Sequence, residues 1–135
     1  MPSPDRTPLS SPLPKAFLER LASGEEVLVS SRGRGHTGSV RMWFAISPRG
    51  YVYLLTPAFS LKAQRWREDP WVRLMIPGEG MSVVGHVRSI GMEEVGDDLP
   101  LILSRFALAG AVTAEALTWM LASGSHLLLR VEAND

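Results

Sequence analysis

Lys62 stands two positions after Ser60, in a stretch over residues 60–68 that reads as a short helix ending before Asp69-Pro70. If Ser60 caps that helix, Lys62 lies in its first turn, where the helix dipole opposes a cation by about 0.3–1 kcal/mol at the surface. A phosphate at the same end would receive backbone N–H groups, the Ser60 hydroxyl and the Lys62 ammonium together. The competing reading is a surface lysine in a helix that begins elsewhere. Spacing alone leaves the two level.

Arg41 and Trp43 form a second pair with chemical potential, since they share one face of an alternating stretch, residues 39–47. A guanidinium on phosphate beside an indole lining a ring would suit a planar anionic ligand. A cation–π pair or a subunit contact explains the same pattern and is the commoner case. The run Gly33-Arg34-Gly35-His36-Thr37-Gly38 has the glycine spacing of a dinucleotide-binding loop, but a strand follows it, whereas that fingerprint needs a helix to start at the last glycine. It reads as a glycine-rich hairpin. The three histidines, His36, His86 and His126, are far apart in the chain and predict no metal site.

The elements that must position these residues follow from periodicity. Phe17, Leu18 and Leu21 predict a helix over residues 15–22, and Glu26 to Ser31 a strand. Val40, Met42, Phe44 and Ile46 form the expected core stripe of the strand over residues 39–47. Ser47-Pro48-Arg49-Gly50 is the expected turn into a strand over residues 51–56. The helix over residues 60–68 is expected to place Phe59, Ala63 and Trp66 on one side. Strands are predicted over residues 71–76, 81–90 and 126–132, and helices over residues 99–109 and, capped by Thr113, up to Ala122. Six strands in mostly antiparallel succession predict a small α+β barrel, mainly β.

Composition narrows the class. The chain has 135 residues, 45% hydrophobic, with fourteen basic and fourteen acidic side chains and no cysteine. These values fit a globular domain without disulfides or thiolate metal sites. The expected organisation is a flexible Pro-rich arm over residues 1–14 and a single domain over residues 15–135. No apolar run reaches the roughly 18 residues of a membrane span, so the expectation is a soluble, cytoplasmic protein. Residues 32–92 carry nine cations against three acids, and residues 93–135 two against seven. That asymmetry suits an anionic partner for the central segment.

Arg41-Met42-Trp43-Phe44, Tyr51-Val52-Tyr53-Leu54-Leu55-Thr56, Ser60-Leu61-Lys62, Asp69-Pro70 with its following strand, and Val83-Val84-Gly85 occur in that order. In order and spacing this set resembles the pyridoxamine 5'-phosphate oxidase-like family of FMN-binding split barrels. The resemblance implies a six-stranded antiparallel Greek-key split barrel with short peripheral helices, forming a homodimer with FMN at the subunit interface. It implies that Arg41 and Lys62 bind the phosphate, that Thr56 and Ser60 hydrogen-bond nearby, and that backbone at Met42 and Trp43 lines the flavin ring.

The implied function is that of a flavin-dependent oxidoreductase acting on an unknown small molecule, with a deazaflavin coenzyme as the alternative cofactor. The rival is a non-catalytic binding module: a flavin or haem carrier, or a barrel for single-stranded nucleic acid. Leu61 stands where the family's oxidases carry an Arg, and Ile46 where they carry a Lys. The oxidases also have a C-terminal segment that contributes to the vitamin site, and this sequence ends at Asp135. These departures point away from pyridoxine phosphate oxidation.

Overall fold

Residues 39–47 do run extended, but the chain changes partners in the middle of them. In the computed structural model, which describes residues 11–134, β2 (His36–Trp43) pairs with β1 (Glu26–Gly33), whereas β3 (Ala45–Ile46) pairs with β4 (Val52–Pro57). Phe44 is the residue between them. The remaining strands are β5 (Trp71–Met75), β6 (Ser82–Ile90) and β7 (His126–Ala133). The sheet therefore has seven strands, in the order β2-β1-β5-β6-β7-β4-β3, and not the expected six. Every pairing is antiparallel, and β7 enters between β6 and β4 by a long connection, a Greek-key return. β2 and β3 are the two edge strands of this curled sheet, yet they are neighbours in sequence.

The inside of the curl is apolar because the strands alternate. Val27 and Val29 of β1, Met42 of β2, and Val52 and Leu54 of β4 are buried there with Phe44. Helix α1 (Lys15–Leu21) closes one opening with Phe17 and Leu21. Val40 departs from its expected core position and is exposed, since it lies toward the open part of the edge strand β2.

A second apolar layer covers the outer face of β3, β4 and β7. Ala45, Tyr53 and Leu128 pack there beneath α4 (Leu99–Phe106) and α5 (Ala114–Ala122), which contribute Ile102, Phe106, Leu117 and Met120. With both faces covered, β4 is buried almost continuously instead of alternately. Two further short elements precede α4: α3 (Met92–Val95) and a 3-10 turn at Gly96–Asp98. Thr113 caps α5 as expected, accepting from the Ala116 N–H at 3.1 Å.

Of the expected arm, residues 1–10 lie outside the described residues. Residues 11–14 are bonded into the fold: the Leu13 N–H donates to the Gly50 carbonyl at 2.8 Å, and the Ala133 N–H to the Ser11 carbonyl at 2.9 Å. Leu13 itself is in the core. No single helix among the described residues is long and apolar enough to cross a membrane.

Candidate functional site

Helix α2 (Leu61–Glu68) starts where the spacing predicted. The Ser60 hydroxyl caps it, accepting from the Ala63 N–H at 3.2 Å, and lies 3.2 Å from the Thr56 hydroxyl. Thr56 is fully buried, so it reaches any ligand only through Ser60. Ala63 and Trp66 face the core, as expected. Phe59 does not: at 79% exposure it precedes the cap and is outside the helical phase that buries the other two.

Lys62 occupies the first turn, with no acidic residue beside it on that turn. It lines a cleft of about 370 Å³ with Val29, Ser31, Gly38, Ser39, Val40, Leu61 and Arg65. Partial burial pushes its ammonium below the ordinary lysine range. Among the described residues it has neither a hydrogen bond nor an ion pair. A cation that is desolvated, opposed by the helix dipole and without a partner is poised for an anion.

The glycine run proves to be a hairpin, and it belongs to this cleft. Arg34 and Gly35 form its two-residue turn with φ of 52° and 80°, the geometry of a type I′ connection, and Gly33 pairs with His36 across it. Gly33 and Gly38 then present bare backbone to α2. Arg65 lies over both: its Cγ is 3.3 Å from where a Cβ on Gly33 would stand, and a Cβ on Gly38 would take the space of its guanidinium. Arg67, on the same helix, is committed elsewhere and donates to the Ala58 carbonyl at 2.8 Å.

A separate cleft of about 290 Å³ is lined by Glu26, Arg41, Met42, Trp43, Leu55, Phe106 and Ala109. Arg41 makes a long, exposed ion pair with Glu26 at 3.8 Å. Trp43 is 42% exposed, whereas the Met42 side chain is buried in the barrel. Arg105 fixes the rim by donating to the carbonyls of Phe44 at 2.8 Å and Glu25 at 3.3 Å.

The six expected site residues thus fall into two neighbouring groups. Arg41, Met42 and Trp43 share one cleft, and Ser60, Thr56 and Lys62 gather at the start of α2 beside the other. Consecutive residues of β2 connect them, since Val40 lines the second cleft and Arg41 the first. The resemblance offers Arg65 and Arg67 of the same helix as stand-ins for the Arg missing at Leu61, and of the two it is Arg65 that lines the cleft with Lys62.

No family model matches the chain, and no curated protein does. Solved structures do match. An FAD-binding protein from Mesorhizobium loti superposes with a TM-score of 0.60 at 14% identity, over 91% of this chain and 90% of that one. An F420 reductase gives 0.60 at 16% identity over 91% and 97%. A protein of the pyridoxinephosphate oxidase family from Clostridium acetobutylicum gives 0.59 at 13% identity over 87% and 81%. The chain spans 56% of the length of a further match, a protein of unknown function from Agrobacterium tumefaciens. The architecture is therefore the split barrel of the pyridoxamine 5'-phosphate oxidase-like type. At these identities the likeness speaks for the fold.

Proposed function

We propose that this protein binds a flavin, FMN in the first instance, as a homodimeric oxidoreductase of small molecules. The observation that carries the reading is Lys62, a half-buried ammonium without a partner among the described residues, at the capped start of α2. In this reading Lys62 and Ser60 hold the phosphate, Thr56 orients Ser60, and the edge strand at Arg41, Met42 and Trp43 borders the ring system. When bound, the flavin supplies hydride transfer, while the chain supplies anchoring, orientation and a shielded pocket. The deazaflavin coenzyme is the alternative, and the F420 reductase among the structural matches makes it worth testing beside FMN.

Dimerisation fits the outer face of β1, β5 and β6, which neither α4 nor α5 covers. Val84 is exposed on that face, and the buried Nε of Arg73 has no partner there. The small-ligand reading is preferred over a nucleic-acid polymer because much of the central basic excess is spent within the chain. Arg32 pairs with Asp69 at 2.7 Å, Arg49 with Asp98 at 2.9 Å and Arg88 with Glu94 at 3.1 Å. A polymer needs a run of free cations along its path.

The test is a fluorescence titration of the purified protein with FMN and with the deazaflavin coenzyme, beside a single-stranded DNA control at two salt concentrations. Binding of FMN at micromolar concentration is expected. Failure to bind either cofactor, with DNA binding that weakens steeply in salt, would replace this reading with the nucleic-acid barrel.

A further inference from the structure

Resting on the phosphate-site reading of Lys62, we propose that Arg65 is a second anion-binding residue of the same cleft and that Gly38 exists to seat it. Lys62 and Arg65 are three positions apart on α2, so their side chains leave the helix on one side. Both line the cleft, together with Ser31 and Ser39. Neither has a hydrogen bond or ion pair with a described residue.

Two cations side by side repel each other, and an isolated pair of this kind gains from a shared anion. The hairpin is shaped to keep Arg65 there. Gly38 has an ordinary extended backbone, unlike Gly35 with its positive φ, so the strand itself does not require glycine at that position. A Cβ there would enter the space of the Arg65 guanidinium, so glycine keeps that space open for it. Gly33 is similarly close to the stem of the same side chain. The chain thus supplies, from the last turn of α2, a planar donor that can grip a phosphate by two N–H groups, while Lys62 adds a point charge from the first turn.

The experiment compares FMN with riboflavin, which differ by the phosphate alone, by calorimetric titration of the wild type and of Arg65→Ala, Arg65→Lys, Gly38→Ala and Lys62→Ala. The preference for FMN over riboflavin is expected to fall by about tenfold in Arg65→Ala and to recover in part in Arg65→Lys. Gly38→Ala should lose preference in the same direction with an unchanged melting temperature, because the displaced atoms are the tip of a flexible side chain. Simple packing of Arg65 on glycine would leave the preference untouched. Loss of preference in Lys62→Ala with full preference in Arg65→Ala would overturn the assignment of Arg65 and leave the phosphate site standing. A wild type that binds FMN no better than riboflavin would overturn both.

Discussion

The phenolic oxygen of Tyr53 donates to Asp98 Oδ2 at 2.6 Å, joining the outer face of β4 to the turn that starts α4. Arg49, on the β3–β4 turn, donates to the same oxygen at 2.9 Å. Burial works to raise the Asp98 carboxyl, but these donors together hold it below the usual carboxylate range, while burial and the carboxylate push the Tyr53 phenol up. The bond fastens the helical layer to the barrel, and that layer carries Phe106 and Ala109 to the cleft beside Trp43.

Asp98→Ala should therefore destabilise the fold by about 2–3 kcal/mol, since it strands a buried hydroxyl and a guanidinium. Tyr53→Phe should cost less, because Arg49 still serves the carboxylate. For the wild type, the folded carboxyl titrates below the unfolded one, so its contribution is present at neutral pH and fades as pH falls through the folded value. Urea unfolding at neutral and acid pH measures both effects.

Lys62 should show a conflict between binding and stability. Lys62→Ala is expected to weaken FMN binding by about tenfold or more. Lys62→Met should leave the ligand-free protein as stable as the wild type or more so, because it removes an unpaired, partly desolvated cation. Since the folded lysine titrates below its unfolded counterpart, wild-type stability should rise as pH passes from the folded value toward about 10.4. Thermal melts of both proteins across alkaline pH distinguish this from a solvated lysine, which would give parallel curves.

Glu132 is buried on β7 between Arg130, which donates to it at 2.7 Å, and Arg88, which donates at 3.3 Å. Burial alone would raise its carboxyl, but Arg130 and then Arg88 hold it below the ordinary range. Glu132→Ala should cost about 3 kcal/mol or more, as removal of one partner of a buried pair does. Arg88→Ala should cost clearly less, because Arg88 is half exposed. Equal losses in denaturant titrations would contradict this ranking.

The β1–β2 hairpin offers a backbone test. Gly35→Ala should destabilise by about 1–2 kcal/mol at its φ of 80°, whereas Arg34→Gly should relieve the non-glycine residue at φ 52° and be neutral or stabilising. Chemical denaturation of the two variants reads the difference directly.

Much of the barrel was legible because its local signals agree with its tertiary contacts. Ser60 and Thr113 cap the helices they were expected to cap, and the hairpin reading of the glycine run needed only the strand after Gly38. The missed features depend on residues distant in sequence. Trp43-Phe44-Ala45 continues the alternation without interruption, so nothing local marks the switch from β1 to β4 as partner. Ala45 and Tyr53 point outward and are buried only because α4 and α5 return over them some fifty residues later. Among the site residues, helical spacing placed Lys62 in the first turn of α2, but the separation of its cleft from that of Arg41 follows from strand faces and sheet curvature.

The passage of one continuous segment through both edge strands also bears on how the molecule avoids unwanted association. An open seven-stranded sheet has two rows of unpaired backbone groups, each a template for a foreign strand. Here those rows are borne by β2 and β3, joined through Phe44, so a displacement of one edge strand is passed directly to the other.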